Sequence, residues 1–231
     1  MPRVHLSGAK YWCYGSGMSA PLPLSANGQL PFKYVGGDAS LDLVNTVDWT
    51  TRGPAEDRLT DYERLTRWAE GAGMILARQG SQQRALAMEH PRLAERVHRD
   101  ALELRWQLRR LFTAADRGER LEGSEALEEL NSSLRTALAQ LELVAPPRTS
   151  TPVPLRWSWR DAPVRLESIL WPVLRSAAAL LASDEASQIR ECAGEDCGWM
   201  YVDRSRNGLR RWCQMETCGN REKAKRRAGR G

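Results

Sequence analysis

The sequence predicts an α+β fold, with a mostly helical N-terminal domain that contains a few short strands and a small C-terminal module. Leucines recur every three or four residues in several stretches, one segment alternates apolar and polar residues, and four of the five cysteines lie between residues 192 and 218. We expect a disordered segment over residues 1–31, the α+β domain over residues 32–186 and the small module over residues 187–231.

The N-terminal segment, residues 1–31, is rich in Gly, Ser and Pro and has no hydrophobic period, which predicts disorder. Met18 within it is a second candidate start of the chain. The stretch FKYVGGDASLDLVNTVDW follows, and its short apolar runs fit either a strand or a buried turn of helix. We expect the polar side chains of Asn45, Thr46 and Asp48 to satisfy neighbouring backbone, and a ligand-binding role is the alternative.

Three helices are predicted in the first half of the domain. Thr60 and Glu63 form a candidate capping box at the start of the first helix. The second helix runs from about Pro91 to Ala115 and carries one continuous apolar face. Ser124 opens the third helix, whose leucine stripe continues to Leu141.

The hydrophobic period changes after Pro146-Pro147. Alternation in VPLRWSWR predicts a half-buried strand, and LELVA at 141–145 is its candidate hairpin partner. The residues expected to face inward are Val153, Leu155, Trp157 and Trp159. A further helix is predicted from about Pro163 to Ala182, and Pro172 is expected to kink or restart it.

Several classes of protein are disfavoured by the sequence. It contains no run of 18 or more apolar residues and no apolar signal-peptide core, so we expect a cytoplasmic protein without a membrane span. The histidines His5, His90 and His98 have no metal-binding or catalytic spacing. Phosphate-loop, nucleophile-elbow and dinucleotide-binding motifs are missing from the sequence. We therefore expect no catalytic residues and no enzyme activity.

The clustered cysteines form two matched pairs, Cys192 with Cys197 and Cys213 with Cys218. In a reducing compartment such cysteines favour a metal site over disulfides. Closely spaced pairs each supply two ligands to a tetrahedral zinc ion. The spacing thus predicts one structural Zn²⁺ held by all four thiolates, with no open position for a catalytic water. A module of this size also needs a metal for much of its folding energy.

The segment between the two pairs contains Asn207-Gly208, a dipeptide typical of two-residue hairpin turns. We expect Trp199, Tyr201 and Trp212 to lie in the strands of that hairpin, with the two tryptophans forming the small core of the module. The second cysteine pair would then lie at the start of a basic helix. This order of knuckle, hairpin and helix predicts a treble-clef-like zinc finger.

The stretch from Cys192 onward, with Cys218-Gly219-Asn220-Arg221 near its end, resembles the CGNR zinc finger over about residues 192–226. Upstream, LDLVNTVDW, LTDYERLTRWAEGAGM and WPVLRSAAALLAS are similar to the ABATE domain over about residues 33–185. That domain precedes this finger in a family described as stress-induced bacterial transcription regulators. The resemblance implies zinc ligation by the four cysteines, an α+β N-terminal domain, and DNA binding in a stress response.

The net charge lies at one end of the chain. The chain has 34 Lys and Arg against 29 Asp and Glu, and residues 190–231 hold 11 of the basic and 6 of the acidic residues. These residues carry the whole excess of +5, which becomes about +3 when a zinc ion with four thiolates is included. A neutral body with a basic end predicts a polyanionic partner.

We expect double-stranded DNA to be that partner. The candidate contact residues are Arg204, Arg206, Arg210, Arg211, Arg221, Lys223, Lys225, Arg226 and Arg227. A solvated or structural role is the alternative, above all for Arg211 and Arg221. An RNA-binding or protein-interaction finger without sequence-specific DNA binding is the rival function. We expect the N-terminal domain to sense an unidentified small-molecule effector or to form a homodimer.

Overall fold

The computed structural model describes residues 31–145, 154–160 and 164–229. Contacts within the chain separate residues 1–31 from a second unit, residues 32–231. The disorder predicted for residues 1–31 concerns a segment that, apart from Pro31, lies outside the described residues. In the ranges described, every helix is too short or too polar to cross a membrane.

Helices predominate in the second unit, with three two-stranded antiparallel sheets in its described part. The elements before the cysteines are α1 (Ala39–Val44), β1 (Val47–Thr50), β2 (Gly53–Asp57), α2 (Tyr62–Gly71), α3 (Ala77–Glu89), α4 (Pro91–Asp116), α5 (Glu125–Leu138), β3 (Leu141–Val144), β4 (Arg156–Trp159), a 3₁₀ turn (Leu166–Leu170), α6 (Trp171–Leu181) and a second 3₁₀ turn (Asp184–Gln188). The remaining elements are β5 (Ile189–Glu191), β6 (Met200–Val202), a π-helical turn (Met215–Gly219) and α7 (Asn220–Ala228). The predicted α+β class, mostly helical with a cysteine cluster at its C-terminal end, is confirmed.

Helix α1 lies at the centre of the core and packs against both α4 and α6. Its residues Leu41, Leu43 and Val44 are completely buried. Asp38 caps this helix, because its carboxylate accepts a hydrogen bond from the backbone N–H of Ser40 at 2.8 Å. The sequence allowed either a strand or a buried helical turn here, and both are present. The helical turn α1 comes first along the chain, and strand β1 follows it.

The predicted capping box of α2 is wrong. Asp61 is the N-cap, and its carboxylate accepts a hydrogen bond from the backbone N–H of Arg64 at 2.7 Å. This shifts the start of the helix by one residue from Thr60, and Glu63 pairs with Arg67 instead. Two adjacent residues were candidates for the N-cap, and aspartate is a better N-cap than threonine.

The long helix α4 begins at Pro91 as predicted. Helix α5 begins after its N-cap, Ser124, but it ends at Leu138, and Leu141 belongs to β3. Helix α6 begins at Trp171, directly after a 3₁₀ turn, and Pro172 lies in its first turn, so the restart predicted as one of two outcomes for that proline is found.

Helix α3 was not predicted, since it has no apolar stripe. Only Gly80 and Gln83 are buried along it. Polar contacts hold it in place: the Gln83 side chain accepts a hydrogen bond from the Tyr62 hydroxyl at 2.7 Å and donates one to the backbone carbonyl of Arg165 at 3.0 Å. A helix held largely by polar contacts leaves no hydrophobic period in the sequence.

Strands β3 and β4 form the predicted hairpin, with Leu141 opposite Trp159 and Leu143 opposite Trp157. Trp159 packs against Trp171 of α6 with 5.8 Å between ring centroids. The expected burial of Leu155 and Trp157 is wrong, because they are 58% and 56% exposed. Among the described residues, the core covers the end of the hairpin at Trp159 and leaves the other end exposed. Val153 lies outside the described residues.

Candidate metal centre and the basic surface around it

The first cysteine pair lies in the connection between strands β5 and β6. Cys192 directly follows β5, and its backbone N–H donates to the carbonyl of Trp199 at 2.8 Å. The predicted hairpin around Asn207-Gly208 is wrong, since β6 pairs with β5 and neither Trp199 nor Trp212 lies in a strand. Trp199 is buried in the continuous core of the second unit, and Trp212 is partly buried against it.

One carboxylate closes the loop of residues 203–212 in place of strand pairing. The Asp203 side chain accepts hydrogen bonds from the backbone N–H groups of Ser205, at 2.9 Å, and of Arg210, at 3.0 Å. The hydroxyl of Tyr201 donates to the carbonyl of Arg210 at 2.7 Å. The loop therefore satisfies its backbone through two side chains, and the hairpin dipeptide only supplies the positive φ of Gly208, +61°.

The second pair lies where the prediction put it, at the start of the C-terminal helix. Cys213 follows the loop, and Cys218 lies in the π-helical turn that leads into α7. The backbone N–H of Ala193 donates to the carbonyl of Arg211 at 2.8 Å, which joins the two halves of the finger beside the cysteines.

The four sulfur atoms form a compact cluster, with every Sγ within 4.8 Å of the others. The Sγ of Cys213 lies 3.9 Å from that of Cys197 and 3.6 Å from that of Cys218. A tetrahedron of thiolates with zinc–sulfur bonds of about 2.3 Å has sulfur–sulfur edges of about 3.8 Å. The donor set therefore fits a tetrahedral zinc ion.

Backbone amides also point at this cluster. The N–H of Cys213 lies 3.2 Å from the Sγ of Cys192, and the N–H of Gly194 lies 3.4 Å from it. Hydrogen bonds from Cys197 and Cys213 lower the pKa of the Cys192 thiol, and the same contacts with Cys192 raise the pKa of Cys197 and of Cys213. Thiols this close cannot all ionise without a cation between them, which is the chemistry that a divalent metal supplies.

The first cysteine connection is fixed to the N-terminal part of the chain. The backbone N–H of Gly198 donates to the carbonyl of Trp49 in β1 at 2.9 Å. A Cβ at Gly198 would lie 2.7 Å from the Cβ of Trp49, so only glycine fits. Arg109 of α4 donates to the carbonyl of Gly198 and to the Glu191 carboxylate, the latter at 2.8 Å.

Asn45 provides a second connection, which the sequence did not reveal. Its side chain bonds the backbone of Met200 in β6, whereas we expected it to satisfy neighbouring backbone. Thr46 does bond neighbouring backbone, since its hydroxyl donates to the carbonyl of Leu43 at 2.6 Å, whereas the Asp48 carboxylate pairs with the side chain of Arg58 at 2.9 Å. A polar residue in an apolar run was the visible signal, but its partner 155 residues away was not.

Two of the nine candidate cations bond the loop of the finger to other parts of the chain. Arg210 donates to the carbonyls of Trp212, Cys213 and Val35 at 3.1, 2.6 and 3.1 Å, and its guanidinium lies over the ring of Tyr201. Arg204 pairs with Glu185 at 2.5 Å and donates to the carbonyl of Gly37 at 2.6 Å. Arg211 and Arg221, for which a structural role was the stronger alternative, are both exposed, with Arg211 5.2 Å from the ring centroid of Trp212.

The exposed cations lie on the loop tip and along α7. Among the residues that the structure describes, no ion pair is formed by Arg206, Arg211, Arg221, Lys223, Arg226 or Arg227. Lys225 pairs with Glu195, and Glu222 accepts a hydrogen bond from the Glu195 backbone at 3.1 Å. Glu222 and Lys225 thus face the first cysteine connection, and at 100° per residue Lys223 and Arg227 lie on the opposite face of α7.

Two family models match the chain. The ABATE model, described as a putative stress-induced transcription regulator, matches residues 37–184, and the CGNR zinc-finger model matches residues 188–230. No curated protein matches the chain. The finger match and the four-cysteine cluster together are consistent with one structural zinc ion. The chain belongs to the ABATE family and carries a CGNR zinc finger after its ABATE domain.

Proposed function

We propose that this protein is a zinc-dependent transcriptional regulator whose finger binds double-stranded DNA. In this proposal one zinc ion is held by Cys192, Cys197, Cys213 and Cys218. The observation that carries it is the placement, on the loop tip and α7 beside the cysteine cluster, of six exposed cations that form no ion pair with the residues that the structure describes. The family descriptions support the regulatory part.

The proposed DNA contacts are narrower than the set suggested by charge alone. The guanidinium groups of Arg204 and Arg210 already donate to backbone carbonyls, and that of Arg204 also pairs with Glu185. The proposed phosphate contacts are Arg206, Arg211, Arg221, Lys223, Arg226 and Arg227, with Lys225 partly occupied by Glu195. A helix fits the major groove, which is about 12 Å wide, and α7 presents Lys223 and Arg227 on the face that points away from the finger.

The contribution of zinc in this proposal is structural. Four thiolates fill a tetrahedral site and leave no position for a substrate or water. The Sγ contacts join the β5–β6 connection to the π-helical turn before α7. The cysteines thereby orient α7 relative to the loop, so that both groups of cations can meet one duplex.

The ABATE domain takes the sensing or dimerising part of the proposal. A single finger contacts a short stretch of DNA, and two fingers in a homodimer would bind two half-sites about one helical turn apart. Sedimentation of the zinc-loaded protein with and without DNA tests the dimer. An effector, if a small molecule, should raise the melting temperature of the protein when it binds.

Selection from fragments of the source genome tests the proposed function. The zinc-loaded protein and a Cys213→Ser variant are incubated with the fragments at several salt concentrations, with structured RNA as a competitor. We expect salt-sensitive retention of particular fragments by the wild type, and none by the variant. Equal retention of all fragments, or better retention of the RNA, would contradict the proposal.

A further inference from the structure

The turn between β1 and β2 holds an exposed arginine in an ordered position. The hydroxyl of Thr50 donates to the carbonyl of Gly53 at 2.8 Å and accepts from the backbone N–H of Arg52 at 3.2 Å. Gly53 has a φ of +108°, which a residue with a side chain rarely adopts. Arg52 is exposed at the tip of this turn and, within the ranges that the structure describes, forms no ion pair.

The same turn is bonded to the finger beside its first cysteine pair. The carboxylate of Asp196, the residue before Cys197, accepts hydrogen bonds from the backbone N–H of Thr51 at 2.9 Å and from its hydroxyl at 2.8 Å. Asp196 has a φ of +57°, a conformation that costs energy outside glycine and persists where surrounding bonds hold it. The ABATE domain therefore presents its turn at the cysteine cluster through specific bonds.

The β1–β2 turn and the start of α7 are bonded to adjacent residues of the first cysteine connection. Asp196 bonds Thr51, the neighbour of Arg52. The backbone N–H of Glu195 donates to the carboxylate of Glu222, the neighbour of Arg221, at 3.1 Å. Arg52 thus lies near the first residues of α7, although it belongs to the other domain.

The acidic groups of this region already have partners. Asp196 accepts the two hydrogen bonds from Thr51, and Glu195 pairs with Lys225. Arg52 and Arg221 are both exposed. Two exposed arginines near the start of a helix can donate hydrogen bonds to a phosphate group of a bound duplex.

We propose that Arg52 of the ABATE domain contacts a DNA phosphate together with Arg221, so that the DNA-binding surface spans both domains. This inference rests on the proposed function of the finger. In this proposal the bonds between Thr51 and Asp196 also hold Arg52 at a fixed distance from α7. A duplex that touches both would bind only when the finger is docked on the β1–β2 turn.

The test compares the affinity of four full-length, zinc-loaded proteins for one duplex over a salt series: the wild type, Arg52→Ala, Arg52→Lys and Arg92→Ala. Arg92 is an exposed arginine near the start of α4, about 25 Å along that helix from Arg109, which contacts the finger. The loss of one phosphate contact makes the log–log salt slope shallower by about 0.9. Between 50 and 200 mM salt this changes the loss of affinity by about 3.5-fold.

We expect the shallower slope for Arg52→Ala only, with Arg52→Lys close to the wild type because it keeps the charge. Zinc content and unfolding free energy, measured on the same samples, should be equal in all four. A wild-type slope for Arg52→Ala, with salt-dependent binding intact, would overturn the inference and leave the proposed function standing. A wild type that shows no salt slope with DNA would overturn both. A shallower slope for Arg92→Ala as well would show a general charge effect and also overturn the inference.

Discussion

Asn45 and Met200 exchange two buried hydrogen bonds that join the ABATE domain to the finger. The side-chain amide of Asn45 donates to the Met200 carbonyl at 2.8 Å, and the Met200 N–H donates to the Asn45 side-chain oxygen at 2.9 Å. Both residues are buried. The amide thereby acts as an additional strand residue at the open edge of β6, and it places the finger in one register on the body.

Asn45→Ala should destabilise the protein. It leaves one buried N–H and one buried carbonyl of Met200 without partners, and each such group costs about 1–3 kcal/mol. We expect the free energy of unfolding in urea to fall by about 2–4 kcal/mol. Asn131→Ala, an exposed asparagine of α5, is the control and should change it by less than about 0.5 kcal/mol. An Asn45→Ala variant as stable as the control would show that the two bonds do not hold the domains together.

Arg210→Ala should weaken the finger. The guanidinium loses hydrogen bonds to three carbonyls, one of which belongs to Cys213, and charged hydrogen bonds contribute about 1.5–3 kcal/mol. We expect a lower unfolding free energy and faster zinc release to a chelator. Arg210→Lys should not restore either property, because an ammonium group lacks the planar fork. The exposed Arg206→Ala serves as the control, and zinc release at the same rate from all three variants would refute the structural role of Arg210.

Asp42 predicts a pH dependence of stability. Burial raises the pKa of its carboxyl from 3.8 to about 7, although the backbone N–H of Gly36 donates to it at 2.8 Å. Between about pH 4 and 7 the folded state keeps a proton that the unfolded state has lost, so stability falls as the pH rises through this window and then levels off. Asn at this position cannot ionise and keeps the acceptor oxygen.

We therefore expect Asp42→Asn to match the wild type near pH 4 and to exceed its unfolding free energy by roughly 4 kcal/mol at pH 8. Urea unfolding at one-unit steps of pH measures the difference. Glu128→Gln, a change on the exposed face of α5, should follow the wild-type curve. Parallel curves for wild type and Asp42→Asn would mean that Asp42 does not hold a proton in the folded protein.

Removal of zinc should release the outer part of the finger and leave its inner strands in place. Met200, Tyr201 and Val202 of β6 are buried in the common core, whereas α7 contacts chiefly the π-helical turn before it. Chelation should therefore speed hydrogen exchange in residues 203–229 and leave β5, β6 and the ABATE helices protected. Exchange measured by mass spectrometry tests this. Loss of protection along the whole chain would show that zinc holds the ABATE fold as well.

The sequence predicted the elements whose pattern is visible within a short stretch of residues. Helix α4 has a continuous apolar face, the β3–β4 hairpin alternates, and the cysteine spacing points to one tetrahedral site. It missed what depends on distant partners. Helix α3 is held by the buried amide of Gln83, and the loop before Cys213 is closed by Asp203 where a hairpin dipeptide suggested strand pairing.

The candidate site shows the same division. The spacing of the cysteines predicted that the four sulfur atoms cluster. The two cysteines of each pair are close in sequence, so each pair can supply two ligands to one metal ion. The cations could not be sorted in the same way. Arg204 and Arg210 look like their neighbours in the sequence, yet they bind carbonyls of Gly37 and Val35, more than 160 residues earlier in the chain. Only the fold distinguishes a structural arginine from an exposed one.

The most direct test of the proposed function is the salt dependence of duplex DNA binding by the wild type and by Lys223→Glu/Arg227→Glu, a reversal of charge on the outward face of α7. These side chains are exposed and form no ion pair with the described residues, so the variant should keep its zinc and its unfolding free energy. We predict a wild-type slope of roughly −0.9 for each phosphate contact, and a variant that binds far more weakly with a slope shallower by about 2. Equal binding by the two proteins at every salt concentration would contradict DNA recognition by this finger.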